Sequence, residues 1–287
     1  MCAESNLTIL IPTLGKGISK KWIEQINNYS ENGFKVILSI PPNINKKKIY
    51  GLGFNSFVKV INSQSKGQVN QRQFGLKFCE TEYIVYMDDD IIFDKNDLKD
   101  LFSAYKKFKT KAVIAPIVKD KKHISKSNYL LRKFKNLFLY SSFNPTPGTI
   151  SDTSFPVPHN LNKYDPKICN KEVDWLPGGL IFLKKDYAIL ESYFPFKGKA
   201  YCEDLIHSYI LRSRGIKLII YYNYKCYTKI NSYRNLSFKN FFSYIKNDYK
   251  IRKYFNRLHD GNQNKLCLAY IFLILVFFVQ KIFSFRK

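Results

Sequence analysis

Short apolar segments alternate with amphipathic segments through the first 120 residues of the chain. Leu7–Pro12 is a continuous apolar run that ends at a proline, which is typical of a buried strand in a parallel sheet. The same patterns predict strands over 34–40, 58–61, 83–87 and 112–118, and helices over 19–32, 68–79 and 95–109. Because strands and helices alternate, we predict βαβ units with right-handed crossovers, and therefore an α/β fold with a mostly parallel sheet.

The middle of the chain is less regular. Residues 119–173 contain a strongly basic stretch, 119–135, and a stretch rich in proline, serine and threonine, 144–158. We interpret them as a loop-bearing insertion over the sheet. Regular patterning then returns, with predicted strands over 180–183 and 217–222 and predicted helices over 184–193, 204–214 and 236–258.

The C-terminal segment is apolar around its whole circumference. Residues 266–279 carry no charge, and the apolar pattern continues past Lys281 to Phe285. At about 1.5 Å per helical residue, the segment 266–285 reaches roughly 30 Å, which is the thickness of a bilayer's hydrocarbon core. With Lys281 extended toward a headgroup, we expect a membrane-associated helix here; a buried core helix is the alternative.

The chain is strongly basic. Its 47 Lys and Arg residues against 22 Asp and Glu residues give a net charge of +25, which predicts adhesion to a polyanion: nucleic acid, an anionic membrane face or a phosphate-containing ligand. A hydrophobic content of 45% and a charged content of 24% exclude a disordered protein.

The cysteines and the N-terminus indicate the compartment. None of the six cysteines forms a CxxC pair, which argues against a zinc cluster or a disulfide framework and favours a reducing compartment. The first residues run directly into an apolar strand without a basic segment followed by an apolar one, so we expect no secretory signal.

Three adjacent carboxylates, Asp88, Asp89 and Asp90, directly follow the predicted strand 83–87. Ligands of open α/β sheets bind at the carboxyl ends of the strands, and adjacent carboxylates repel one another unless a cation compensates them. The triplet therefore predicts a site for a hard divalent cation, Mg²⁺ or Mn²⁺, that would in turn hold a diphosphate. A solvated turn is the alternative.

Two further motifs could contribute to a site. Gly178 and Gly179 follow Trp175 and precede a predicted strand, where paired glycines allow a backbone to approach a ligand closely, although an ordinary turn uses the same residues. Glu203 and Asp204 lie at the start of a predicted helix, where acidic residues complement the helix dipole. One of these carboxylates could act as a general base toward an acceptor hydroxyl.

In their order and spacing, these residues resemble the family 2 glycosyltransferases with the GT-A fold, over roughly residues 5–230. The matching stretches are 7–13, 66–75, 83–90, 175–179 and 202–204. Stretch 83–90 is similar to the family's strand with a DxD motif, and 202–204 is similar to its xED motif. The chain departs from the family where the second strand ends without acidic residues and where 221–230 contain no histidine.

The resemblance implies a Rossmann-like GT-A sheet flanked by helices, and an inverting transfer of a sugar from a nucleotide-sugar donor to an acceptor hydroxyl. It implies that Asp204 is the catalytic base. The implied donor-binding residues are Pro12, Thr13, Lys66, Arg72, Asp88, Asp89, Gly178 and Gly179, the acceptor-binding residues are Trp175 and Glu203, and the ligands of the Mg²⁺ or Mn²⁺ ion are Asp88 and Asp90.

These interpretations divide the chain into a GT-A domain, a basic helical extension and a membrane helix. The bounds are 1–235 for the domain, with a nucleotide-sugar-binding half 1–118 and an acceptor-binding half 119–235, then 236–265 and 266–285. We predict a hexosyltransferase-like enzyme of cell-surface polysaccharide or glycolipid synthesis. It would lie at the cytoplasmic face of the cell membrane, anchored by its C-terminal segment, with a saccharide or lipid-linked acceptor and no nucleic acid partner. A catalytically inactive GT-A-fold partner protein and a basic nucleic-acid-binding protein are the alternatives.

Overall fold

The computed structural model describes residues 6–16, 18–120, 129–159, 169–197, 200–228 and 237–284. The chain forms two compact units. Unit 1 comprises residues 1–121 and 164–229, and unit 2 comprises residues 122–163 and 230–287.

The secondary structure confirms the predicted α/β class. The strands are β1 (Leu7–Pro12), β2 (Lys35–Ile40), β3 (Val58–Asn62), β4 (Tyr83–Met87), β5 (Ala112–Asp120), β6 (Asn170–Glu172), β7 (Leu180–Lys184) and β8 (Lys217–Thr228). The helices are α1 (Lys20–Glu31), α2 (Lys46–Tyr50), α3 (Gln68–Leu76), α4 (Lys95–Lys106), α5 (Tyr129–Tyr140), α6 (Glu203–Ser213), α7 (Phe238–Leu258) and α8 (Gln263–Ser284). Helices α5, α7 and α8 belong to unit 2 and the other elements to unit 1.

Unit 1 is built around one mixed sheet with the strand order β3-β2-β1-β4-β7-β5-β8-β6. The neighbours from β3 to β4 are parallel, as are β5 and β8, whereas β7 runs antiparallel to both β4 and β5. Because β7 is reversed, its first residue, Leu180, pairs with Met87 at the carboxyl end of β4. The turn before β7 and the residues after β4 therefore lie at the same edge of the sheet.

The central strands are buried along their whole length, which explains why they read as continuous apolar runs. All six residues of β1 and all five of β4 are buried. Helix α3 packs so closely on β1 that a Cβ atom at Gly75 would lie 2.3 Å from a methyl group of Leu10. This glycine brings α3, and the polar side chains that it carries, against the end of β1.

Two sequence predictions need correction. Residues 184–193, predicted as a helix, instead contain the last residue of β7, a 3₁₀ turn, Lys185–Tyr187, and irregular chain. The Tyr193 hydroxyl donates a hydrogen bond to Glu203 and the Glu191 carbonyl accepts one from Gln73, so tertiary partners hold this segment in a non-helical course. Residues 119–173, predicted as an insertion of loops, contain α5 and β6.

Unit 2 contains a helical hairpin of α7 and α8, in agreement with the predicted basic and apolar helices. The rings of Phe241 and Phe277 stack with centroids 3.6 Å apart, and Phe138 of α5 stacks on Phe272 of α8 at 4.6 Å. The segment Gln263–Ile282 is long and apolar enough to cross a membrane, by length and composition.

Candidate active site

The three aspartates after β4 are each tied to a different neighbouring element at the carboxyl edge of the sheet. The Asp88 amide donates to the Gly179 carbonyl (2.9 Å), the Thr13 hydroxyl donates to Asp89 Oδ2 (2.6 Å), and the Thr228 hydroxyl donates to Asp90 Oδ2 (2.7 Å). The ends of β1, β4 and β8 and the start of β7 therefore meet around this triplet.

Arg72 of α3 connects the aspartates with the acidic pair of α6. Its guanidinium donates to Asp88 Oδ1 at 2.6 Å and to Glu203 Oε1 at 2.9 Å, and its side chain is only 4% exposed. A third hydrogen bond reaches the Gly178 carbonyl at 3.1 Å. One buried cation thus joins two acidic motifs that lie more than a hundred residues apart in the sequence.

The electrostatics of this cluster follow from burial and from the Arg72 charge. Burial raises the pKa of Asp88 to about 6, although Arg72 partly opposes the shift. Burial also acts to raise the pKa of Glu203, but the Arg72 charge, His207 and the hydrogen bonds from Tyr193 and Arg72 together outweigh it and lower that pKa. Glu203 is therefore held as a carboxylate, paired with Arg72.

The turn formed by Gly178 and Gly179 before β7, here called the glycine turn, allows the start of α6 to approach the aspartates. A Cβ atom at Gly178 would lie 3.4 Å from both Glu203 Oε2 and Asp204 Cβ, and one at Gly179 would lie 2.9 Å from Ile91. Asp204 is half-buried in the first turn of α6, with Oδ1 accepting a hydrogen bond from the Leu205 amide at 3.0 Å. A larger residue in the turn would therefore press on the acidic pair.

Part of the chain matches a known family of proteins. Residues 44–158 match the sequence model of the family described as Glycosyl transferase family 2. This stretch, about two fifths of the chain, is similar to the family 2 glycosyltransferases. No curated protein sequence matches the chain at the significance that the comparison requires.

Solved structures establish the GT-A fold of the chain. A structure described as GalNAc-T7 with UDP, GalNAc and Mn²⁺ has a TM-score of 0.55 and 13% identity, covering 79% of this chain and 44% of its own length. The mannosyltransferase PcManGT from Pyrobaculum calidifontis, in complex with GDP-Man and Mn²⁺, has a TM-score of 0.51 and 11% identity, covering 92% of this chain and 69% of its own. The chain therefore spans less than half of the length of the first of these proteins.

The remaining residues implied by the family resemblance lie at different depths. Pro12 is buried at the end of β1 and pairs with Ser39 of β2. Trp175 is half-buried before the glycine turn, and Lys66 is exposed two residues before α3 begins. Among these residues, Lys66 therefore lies at the exposed side of the sheet edge and Pro12 in its buried interior.

Several residues of the site were not predicted from the sequence. Gln68 donates to Asp88 Oδ1 at 2.5 Å and Gln71 donates to the Thr13 carbonyl at 3.0 Å. Gln68 precedes Gln71 by three residues and Arg72 by four, so it shares one side of α3 with both, a signal that could have been used. Thr228 had no such signal, because its contact with Asp90 depends on how far β8 extends.

A divalent cation at this edge of the sheet would have few protein ligands among the described residues. Among them, no group of three or more His, Cys, Asp or Glu side chains is arranged as a metal site. Mg²⁺, however, is commonly held by one or two carboxylates plus the phosphates of a substrate. The hydrogen bonds that Asp88 accepts from Gln68 and Arg72 fall on Oδ1, and the one that Asp90 accepts from Thr228 falls on Oδ2. Two carboxylates at the sheet edge therefore fit a cation shared with a diphosphate.

His207 lies one helical turn after Glu203 in α6, which the sequence spacing predicts, and it is a buried neighbour of that carboxylate. It is 3% exposed, its ring contacts those of Tyr86 and Tyr193, and its Nε2 atom has no hydrogen-bond partner among the described residues. Burial lowers the pKa of His207 to about 4. The imidazole is therefore neutral in the folded protein at neutral pH.

We expect stability to fall in acid because of His207. Between pH 6.5 and about 4 the unfolded chain takes up a proton that the folded imidazole does not, so acidification favours unfolding. The loss from this residue is on the order of 3 kcal/mol over that range. Urea unfolding of wild type and His207→Leu at pH 7 and pH 4.5 measures it. The variant should lose less stability than wild type on acidification, and equal losses would show that the histidine is not responsible.

Proposed function

We propose that this chain is an inverting glycosyltransferase that moves a sugar from a nucleotide-sugar donor to an acceptor hydroxyl. The substrate class that we propose is a saccharide or lipid-linked acceptor in cell-surface polysaccharide or glycolipid synthesis, with a hexosyl group as the transferred sugar.

One observation carries this proposal: the Arg72 guanidinium joins Asp88, Glu203 and the Gly178 carbonyl, and Asp204 lies against the same glycine. A donor site needs carboxylates and close backbone approach, and a transfer reaction needs a base within reach of the donor's reacting carbon. Residues of both kinds meet at one edge of the sheet. The two similar solved structures, whose descriptions name UDP and GDP-Man, support a nucleotide-sugar donor.

The proposed reaction is a single displacement. The Asp204 carboxylate accepts the proton of the acceptor hydroxyl while the acceptor oxygen bonds to the anomeric carbon of the donor sugar. The bond from that carbon to the nucleoside diphosphate breaks on the opposite face, so the configuration inverts. Arg72 holds Glu203 and Asp88 in place, and Pro12, Thr13, Asp88, Asp89, Gly178 and Gly179 form the donor side of the site.

A divalent cation, Mg²⁺ or Mn²⁺, fits Asp88 and Asp90 when a diphosphate supplies further oxygens. Bound there, it would neutralise negative charge on the leaving diphosphate. Lys66, exposed beside the start of α3, and Trp175 complete the proposed donor and acceptor contacts.

We also propose that the enzyme is attached to the cytoplasmic face of the cell membrane through α8. The support is the length and apolar composition of Gln263–Ile282 together with the net charge of +25. Such attachment would hold the enzyme near a lipid-linked acceptor.

A donor panel tests the function directly. UDP-, GDP- and dTDP-sugars are screened with Mn²⁺ by thermal shift, since a ligand that binds the folded state raises the melting temperature. Donors that bind are then assayed for slow hydrolysis and for transfer. Hydrolysis or transfer of any donor supports the proposal that the chain is an active enzyme. Binding without turnover for every donor would instead favour the inactive partner protein.

We expect Asp90→Asn to weaken the binding of Mn²⁺ and to lower Mn²⁺-dependent transfer while the fold survives. Losing a ligand should cost more than the roughly 10–100-fold that is typical of losing an outer partner of a ligand. Mn²⁺ binding is measured by electron paramagnetic resonance and transfer by nucleotide release. Asp186→Asn, in the 3₁₀ turn after β7, is the matched control. Wild-type activity of Asp90→Asn at saturating Mn²⁺ would contradict the assignment.

A further inference from the structure

Helix α8 is apolar all round, but its two sides have different surroundings. Leu266, Ala269, Tyr270 and Phe277 are buried at 4% exposure or less. The opposite side carries an exposed apolar stripe: Leu268, Ile271, Leu275, Phe278, Val279 and Ile282, all between 40% and 58% exposed. The stripe repeats every three or four residues, so its members share one face of the helix.

The buried side of α8 is covered by α7 along the length of the hairpin. Phe241 stacks on Phe277 near one end, as described above. In the middle, Tyr270 donates a hydrogen bond to Asp248, which forms a buried ion pair with Arg252. Near the turn, Gln263 donates to Asn256 at 2.6 Å. Helix α7 therefore lies antiparallel to α8 and accompanies it over most of its length.

Helix α7 carries a basic row: Lys239, Lys246, Lys250, Lys253 and Arg257, which are exposed or half-buried. The junction of the two helices shows which way this row faces. On the solvent side, Phe242 of α7 meets Phe278 of α8 with ring centroids 6.2 Å apart, and both rings are at least 40% exposed. Tyr249 and exposed Cys267 meet there too, with Oη and Sγ 3.2 Å apart.

Helical spacing shows which residues continue the junction along the solvent side of α7 and of α8. Lys246 follows Phe242 by four residues and Lys253 follows Tyr249 by four, so the basic row continues the junction on α7. Leu275 precedes Phe278 by three residues and Ile271 follows Cys267 by four, so the apolar stripe continues it on α8. The hairpin thus presents one surface on which a basic row lies beside an apolar stripe.

We infer that α8 lies in the plane of an anionic membrane surface, with the apolar stripe inserted and the basic row against the headgroups, and does not cross the bilayer. The inference rests on the proposed membrane attachment and specifies its geometry. A helix with one apolar face and neighbouring lysines is the arrangement that binds at the interface of anionic lipid.

Crossing the membrane is incompatible with the hairpin. If α8 spanned, α7 would enter the hydrocarbon with it and bring the basic row and the Asp248–Arg252 pair. Charged side chains at membrane depth are rare and costly. If α7 and α8 separated before insertion, the hydrogen bond from Tyr270 to the buried Asp248 and the stacking of Phe241 on Phe277 would both be lost.

Vesicle binding of the full chain tests the surface. Phosphatidylcholine vesicles are compared with vesicles that also contain phosphatidylserine, at low and high salt. We expect Ile271→Glu with Leu275→Glu to weaken binding about 100-fold, because two apolar side chains are withdrawn. Lys246→Glu with Lys250→Glu should weaken binding to phosphatidylserine vesicles at least about tenfold and remove its salt dependence.

Matched variants in unit 1 control for the charge changes. Phe57→Glu with Leu190→Glu alters two apolar residues that are 70% and 63% exposed, and Lys20→Glu with Lys21→Glu alters two exposed lysines. Both pairs should bind vesicles almost as wild type does. If they weaken binding as strongly as the hairpin variants, overall charge controls the binding and the proposed surface is wrong.

Measuring the bilayer depth of labelled residues distinguishes a helix that lies in the membrane plane from one that spans the bilayer. Leu268, Leu275 and Ile282 are replaced one at a time by a fluorophore-labelled cysteine, in a chain whose Cys2, Cys169, Cys202 and Cys267 are serine. Quenching by spin labels at shallow and deep acyl positions should place all three at the same shallow depth. A spanning helix would place Leu275 deepest, with the other two about 10 Å nearer the surfaces, and would overturn the inference.

The same measurements separate this inference from the proposed function. Vesicle binding with Leu275 at mid-bilayer keeps the membrane attachment and rejects the in-plane geometry. Absence of binding to both vesicle types rejects the attachment and the geometry together. Transfer to a soluble acceptor analogue is assayed in parallel. Absence of transfer by the wild-type chain would reject the proposed enzymatic activity but would not affect the proposed membrane-binding surface.

Discussion

Replacing Asp204 by asparagine is expected to lower turnover by roughly 10²–10⁴-fold, the range typical of losing a general base. The amide is nearly isosteric with the carboxylate but cannot accept the acceptor's proton. Donor affinity should stay close to wild type, because Asp88, Asp89 and the glycine turn are unchanged. Turnover is measured by nucleotide release and donor affinity by calorimetry in the same buffer.

A matched residue controls for charge at a helix start. Asp97 lies half-buried in the first turn of α4, as Asp204 does in α6, and Asp97→Asn should leave turnover unchanged. If donor affinity collapses together with turnover in Asp204→Asn, the residue maintains the site and is not the base. Equal losses in both variants would indicate a general effect of removing a negative charge.

Arg72→Met is expected to lower the free energy of unfolding by about 3–5 kcal/mol, as breaking a buried ion pair from one side does. Asp88 and Glu203 would be left as neighbouring carboxylates without their shared cation, and the Glu203 side chain is only 6% exposed. Urea unfolding followed by tryptophan fluorescence measures the change, since Trp22 is buried in the same unit.

Two comparisons make this result specific to the ion pair. Arg214→Met removes an exposed pair with Glu191 at 3.2 Å and should cost no more than about 1 kcal/mol. The double variant Arg72→Met with Glu203→Gln should recover part of the lost stability, because one of the two uncompensated charges is gone. A double variant less stable than Arg72→Met alone would mean that Glu203 is stabilised by Tyr193 and not by Arg72.

Most of the fold could be predicted because buried strands have a recognisable apolar sequence pattern. Continuous apolar runs at β1 and β4 predicted both elements with their observed bounds, since strands covered on both faces must be apolar throughout. The segment 184–193 was misjudged because its course depends on partners distant in sequence, Gln73 and Glu203. Helix α5 was missed because its basic residues obscured its apolar spacing.

The sequence identified the acidic residues of the site but not the hydrogen bonds that connect them. Asp88 and Glu203 were both found as motifs, and the structure brings them together. That one arginine joins them could not be inferred, because it requires β7 to be reversed between β4 and β5. The environment of His207 and the reach of Thr228 to Asp90 depend on the same assembled sheet.

The reversed strand β7 also bears on how the chain matures during synthesis. Asp88 and Arg72 leave the ribosome long before Glu203 and the glycine turn, by roughly 6–20 s at typical elongation rates. During that interval β4 lacks its β7 neighbour, and its edge is open to pairing with other chains. A nascent chain halted before residue 180 should therefore depend on chaperones, and completion of the site and protection from aggregation should occur in the same step.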